Sequence, residues 1–150
     1  GASYCTFFEA HRMALESLRK NIETLDAGKV SRVVLGDAWK AAGREARARA
    51  FDLVFLDPPY RDTQQTDPES CVGQFLRRIA EKADGQSGAR VPLVVLHHFG
   101  KVSFSGMNAI PPWVIWDERR MGSSAVTFFF DRAESDEGSV GDPVTRAEGS

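Results

Sequence analysis

Phe51-Asp52-Leu53-Val54-Phe55-Leu56 is the strongest strand signal in the chain, and Asp57-Pro58-Pro59-Tyr60 stops it at once. Near-continuous apolar runs of this length read as strands covered on both faces, the habit of parallel sheets. Two successive prolines cannot extend the ladder, because each fixes φ and lacks an N–H. The segment therefore demands a sheet interior on one side and a rigid, acid-bearing turn on the other.

The flanking sequence supplies the rest of an α/β pattern. Tyr4 to Glu9 reads as a strand, and Arg12 to Thr24 as a helix with a stripe of Met13, Leu15, Leu18, Ile22 and Leu25, stopped by Gly28. Ser31 to Leu35 is a second strand, closed by Gly36-Asp37, and Ala38 to Arg49 is helix-prone. After the proline turn, Pro68 to Lys82 forms a helix with an apolar face of Val72, Phe75, Leu76 and Ile79, and Asp67 is its expected N-cap. Asp84 to Gly88 reads as a loop and Val91 to Leu96 as another strand. Trp113 to Trp116, reaching toward Arg120, and Ala125 to Asp131 are joined by the turn signal Gly122-Ser123-Ser124. The expectation is an α/β fold with a mostly parallel sheet and one antiparallel strand near the end.

Composition matters mainly for what it excludes. The chain has 150 residues and a net charge of −2, so it lacks the strongly basic footprint of a non-specific DNA coater. Residues 133–150 carry Glu134, Asp136, Glu137, Asp142 and Glu148 against Arg146 and read as a disordered acidic tail. The body, residues 1–132, holds 18 basic and 16 acidic residues, a balance that permits a nucleic-acid substrate. No run reaches the roughly 18 apolar residues of a membrane span, and no secretory signal is expected at the start. Cys5 and Cys71 are expected as reduced, partly buried thiols of a cytoplasmic protein. Cys5, Cys71, His97 and His98 lack zinc-finger spacing, so no metal site is expected.

In a parallel sheet, ligands bind at the carboxyl ends of the strands. Glu9, Asp37 and Asp57 each stand at such an end. Carboxylates there accept hydrogen bonds from a ribose diol or an adenine amine; the plainer alternative is that each caps the next helix. Asp57-Pro58-Pro59-Tyr60 is the more specific feature. A carboxylate beside a carbonyl with few internal partners presents two acceptors to an exocyclic amine. Tyr60 offers a flat face for an extruded base.

FDLVFLDPPY, residues 51–60, resembles the fourth motif of amino-group methyltransferases that use S-adenosylmethionine. An opening GA…FFE, then LRKNIETL, RVVLGDA, VPLVVLHH and a closing DERRMGSSAVTFFF extend the resemblance from Gly1 to about Phe130, and the order is similar to the RsmD family. That resemblance implies a Rossmann-like class I methyltransferase fold acting on the exocyclic amine (N2) of a guanine in small-subunit ribosomal RNA. The RNA substrate would be the small ribosomal subunit or its assembly intermediate, and the enzyme is expected to be a cytoplasmic monomer. The resemblance assigns Glu9 to the cofactor ribose and Asp37 with Ala38 to the adenine. Asp57 and the Pro58 carbonyl would hold the amine, with Asp57 also lining the cofactor site, and Tyr60 would stack on the base. Pro59, Arg61, Arg119 and Arg120 complete the expected substrate contacts, although Arg119 and Arg120 equally suit a solvated strand end. The same four-residue motif serves DNA adenine-N6 methyltransferases, and a non-catalytic RNA-binding module is the alternative from another class. The resemblance lapses at His97, where the family often has an acid, and at Met121, where it often has an aromatic.

The family's Gly-rich first motif is missing before Glu9. The chain is thus expected to be an N-terminally truncated piece of a longer enzyme, inactive alone, that opens at the second strand. Two apolar strand edges, on the strand ending at Glu9 and on the strand ending at Asp57, would then lack a partner.

Overall fold

The computed structural model describes residues 2–41, 51–84 and 91–132. The acidic stretch 133–150, most of the Ala38 to Arg49 helix and most of the loop up to Gly88 lie outside the described residues.

Strand β1 (Cys5–Glu9) leads into helix α1 (Arg12–Thr24). The inward stripe of α1 is narrower than expected: Leu15 is buried and Leu18 and Ile22 half-buried, while Met13 and Leu25 are exposed. The helix stops earlier than Gly28. Asp26 takes a φ of 49°, its N–H meets the Glu23 carbonyl, and the Ala27 N–H reaches the Ile22 carbonyl at 2.9 Å. Those two bonds form a Schellman motif with aspartate at the left-handed position. Strand β2 (Ser31–Leu35) then pairs in parallel with β1, from Cys5 against Ser31 to Glu9 against Leu35.

Strand β3 (Leu53–Leu56) begins two residues later than the apolar run suggested. It pairs in parallel with β4 (Leu93–Phe99), which starts at Leu93 and extends through both histidines rather than ending at Leu96. Between them lies helix α2 (Cys71–Asp84). Asp67 is not its cap. The Asp67 carboxylate takes the Glu69 N–H at 2.8 Å in a local turn, and buried Ser70 caps the helix by accepting the Gly73 N–H at 3.2 Å.

Strands β5 (Trp113–Met121) and β6 (Ser124–Asp131) form the closing hairpin. Gly122 turns it with a φ of 62°, which a glycine adopts freely at the first central position of a two-residue turn. The strand order is β3-β4-β6-β5, with β6 antiparallel to both neighbours. Strands β3, β4 and β5 therefore share one direction and β6 alone opposes them, as the sequence led one to expect. Strands β1 and β2 form a separate two-stranded sheet. Among the described residues, β1 has no partner on the side away from β2, nor β3 on the side away from β4. Phe55, on the face of β3 opposite buried Leu56, stands 74% exposed.

The core lies on one face of the larger sheet. Val72, Phe75, Leu76 and Ile79 of α2 pack with Val94 and Leu96 of β4, Phe129 of β6 and Trp113 of β5. The segment before β5 closes this core with Phe104, Met107 and Ile110. Phe8 and Trp39 attach the smaller sheet to the same core, Trp39 lying edge-on to Phe75 with ring centres 5.9 Å apart. Arg78 Nη1 donates to the Trp39 carbonyl at 2.6 Å and ties α2 to the start of the helix at Ala38. No described helix is long and apolar enough to cross a membrane. Cys5 and Cys71 are free and exposed, not partly buried, because each opens its element on an outward face.

Candidate active site and its relatives

Strand β3 delivers Asp57 to its carboxyl end, and the prolines hold the turn that follows. Pro59 has φ −52° and ψ 139°, and its carbonyl accepts the Asp62 N–H at 2.9 Å, starting a 3-10 turn over Tyr60–Thr63. Thr63 is buried and returns its hydroxyl to the Tyr60 carbonyl at 3.0 Å. The turn is thus braced from within. Among the described residues no donor meets the Pro58 carbonyl, which leaves it available beside the exposed Asp57 side chain.

Tyr60 is 40% exposed and anchored at its far end: its hydroxyl and the Ser124 hydroxyl lie 2.8 Å apart. His97 meets the Tyr60 ring edge-on at 5.7 Å, and Phe99 leans on it at 5.8 Å. His97 Nδ1 also reaches Asp57 Oδ1 at 2.7 Å. His97 and Ser124 are the residues sequence reasoning missed here. Their signal was present but needed a register. Strands β3 and β4 pair with a constant offset, Leu53 with Leu93 through Leu56 with Leu96, and one further step sets Asp57 beside His97.

The other two strand-end acids keep local partners. Glu9 Oε1 accepts the His11 N–H at 2.7 Å, at the entry to α1. Asp37 Oδ1 accepts the Trp39 N–H at 2.9 Å, while its other oxygen lies 3.8 Å from Lys40 Nζ. Asp37 therefore performs the capping role that was the plainer alternative, whereas Glu9 only braces the turn before α1, whose N-cap residue His11 makes no side-chain cap bond. Glu9 keeps its second oxygen and Asp37 shares its own only with the exposed Lys40, and β1 and β2 are adjacent and parallel, so both acids stand at one sheet edge. Ala38 follows Asp37 as the first helical residue there.

The three arginines expected at the substrate are all paired within their own segments. Arg61 Nε lies 3.3 Å from Asp62, Arg119 Nε 2.8 Å from Asp117, and Arg120 Nη2 3.0 Å from Glu118. The last two pairs span two residues along β5, where alternate side chains share a face. Arg119 additionally lies over the Phe128 ring at 5.5 Å.

A family model described as "Conserved hypothetical protein 95" matches residues 1–130. The chain belongs to that family, the RsmD type that its motifs resemble. The curated protein named "Putative rRNA methyltransferase YlbH", from Bacillus subtilis, is 33% identical over 63 residues, which is 41% of this chain and 34% of that protein. The match thus spans about a third of the curated relative's length. Among solved structures, a conserved hypothetical protein from Streptococcus pyogenes superposes with a TM-score of 0.63 at 25% identity, covering 86% of this chain and 72% of the other. The Escherichia coli structure titled "Putative methyltransferase yhhF" gives a TM-score of 0.58 at 22% identity, covering 86% of this chain and 63% of the other. The latter shows the fold alone. Membership in the family and these superpositions make the architecture a Rossmann-like methyltransferase fold.

Proposed function

We propose that the protein transfers a methyl group from S-adenosylmethionine to the exocyclic amine of a guanine in small-subunit ribosomal RNA. The observation that carries this reading is the Asp57–Tyr60 turn at the carboxyl end of β3. It holds a carboxylate, an unengaged carbonyl and a partly exposed aromatic ring in one rigid segment. The family's curated relative, named for rRNA methylation, supports the choice of RNA.

The residues present fit the nucleoside half of the cofactor. Glu9 and Asp37 stand at adjacent strand ends, each with one carboxylate oxygen outside its backbone bond, that of Asp37 near exposed Lys40, which suits a ribose diol and an adenine edge. When bound, S-adenosylmethionine supplies an electrophilic methyl group on a sulfonium centre. The chain's part is to position the acceptor. Asp57 and the Pro58 carbonyl accept the two N–H bonds of the amine and so aim its nitrogen lone pair. Tyr60 supports the plane of the extruded base. Positioning and fixed partial charges are the sources of rate in such a site, and no side chain need form a covalent intermediate. Reaction on a large RNA also fits a cytoplasmic protein with a mildly basic body.

The test is methyl incorporation by the chain in its natural length, with labelled cofactor offered naked small-subunit rRNA, assembled small subunits and DNA in parallel. Label in rRNA or subunits, lost in Asp57→Ala, is the expected result. Label in DNA alone, or RNA binding without label and indifferent to cofactor, overturns the proposal.

A further inference from the structure

The turn that carries Asp57 and Tyr60 does not stand alone. His97 and Phe99, two residues apart on β4, lie on the face of that strand turned away from the buried Val94, Leu96 and His98. Both touch the Tyr60 ring. Phe99 is paired across the sheet with Ser124 of β6, and Ser124 holds the Tyr60 hydroxyl at 2.8 Å. His97 holds Asp57 at 2.7 Å. Three residues from two strands thus converge on two side chains of a single turn.

We propose that His97 is a positioning residue that donates Nδ1–H to Asp57 Oδ1, so that Oδ2 alone is left to accept the substrate amine, while Ser124 holds the Tyr60 ring beside it. The inference rests on the reading of Asp57 as the amine acceptor. Stability does not account for the pair. The Asp57 side chain is 81% exposed and that of His97 37% exposed, and exposed pairs of this kind contribute little to folding. Orientation is another matter. A free aspartate rotates about χ1 and χ2 and shares both oxygens with water; with one oxygen bound to a side chain on a sheet strand, its plane is set. The edge-on contact with Tyr60 sets the imidazole in turn. The geometry requires a proton on Nδ1, because a carboxylate oxygen can only accept.

The test pairs kinetics with a measurement independent of turnover. His97→Leu keeps the bulk of the ring and removes the donor; His97→Asn keeps an N–H near the position of Nδ1. With small-subunit rRNA as substrate, His97→Leu lowers kcat on the order of a hundredfold, the scale of an ångström-sized misplacement, and leaves the cofactor KM unchanged. His97→Asn restores most of the rate. Equal rates for wild type and His97→Leu overturn the inference, as does failure of asparagine to do better than leucine. The second measurement is the ¹⁵N spectrum of the wild-type imidazole at a pH where the ring is neutral. It shows His97 protonated on Nδ1, reverting in Asp57→Ala to the Nε2 form that a free imidazole favours. If the wild type methylates none of the substrates, the proposed function fails and the tautomer alone decides the pairing. If it methylates rRNA while His97 carries its proton on Nε2, the function stands and this inference falls.

Discussion

His98 Nε2 lies 2.8 Å from the Thr127 hydroxyl across the β4–β6 pair, with both side chains fully buried. The other ring nitrogen, Nδ1, meets the Phe99 carbonyl at 3.0 Å and must donate to it. In the neutral ring Nε2 can only accept, so the single Thr127 hydroxyl proton serves either Nε2 or Glu118 Oε2, to which it donates at 3.3 Å. Burial pushes the imidazole below its ordinary value of 6.5; the Phe99 carbonyl and the charge of Glu118 oppose that shift without cancelling it. The unfolded chain therefore takes up this proton first as pH falls. The stability contributed by neutral His98 is complete above about pH 6.5 and is lost progressively below it, until the folded ring also protonates. Urea midpoints from pH 8 down to 5 should fall more steeply for the wild type than for His98→Gln. Parallel slopes would rule His98 out as the source.

Trp113 is fully buried and donates its indole N–H to the Leu76 carbonyl of α2 at 3.0 Å. Replacing it with Phe removes that donor and leaves space in the core, a loss of roughly 2–4 kcal/mol. Equilibrium urea unfolding of Trp113→Phe measures it, and an unchanged midpoint would show that α2 does not depend on this tie.

Gly73 lies in the first turn of α2 against the segment that turns at Asp67. A Cβ there would come within 2.3 Å of the Pro68 carbonyl oxygen and 2.6 Å of its carbon, both backbone atoms. In most helices Gly→Ala is stabilising by up to about 1 kcal/mol. Here Gly73→Ala should destabilise by about 1–3 kcal/mol, since the turn carrying Ser70 must move. A thermal melt that rises instead would contradict the close approach.

Asp26 ends α1 at a positive φ that costs most L residues roughly 1 kcal/mol. Glycine is at ease there, so Asp26→Gly should stabilise by a comparable amount, read as a higher urea midpoint. A lower midpoint would mean that the aspartate side chain makes up for its backbone.

Much of this architecture was legible in one sequence. Apolar runs and proline or glycine stops mark β1, α1, β2 and the hairpin because each is a local pattern read along a few residues. The apolar face of α2 followed in the same way, and all four of its expected positions are buried. The strand-end acids were legible as positions. Their local bonds, Glu9 to His11 and Asp37 to Trp39, were legible only as one of two roles. Cap identity failed at Asp67 and Gly28 because several cap-competent residues stood close together, and only backbone geometry chose Ser70 and Asp26 among them.

By itself, then, the sequence determined the alternation of strands and helices, the rigid Asp57–Tyr60 turn and the family to which the motifs point. Those features follow from side-chain period, proline stereochemistry and residue order. The tertiary structure decided what surrounds that turn. It placed β6 between β4 and β5 and brought His97 onto Asp57 and Ser124 onto Tyr60. The reason is physical. A contact between residues 40 or 64 positions apart depends on the register of strands. Register is set by the packing of the whole sheet against α2, not by any local run of residues.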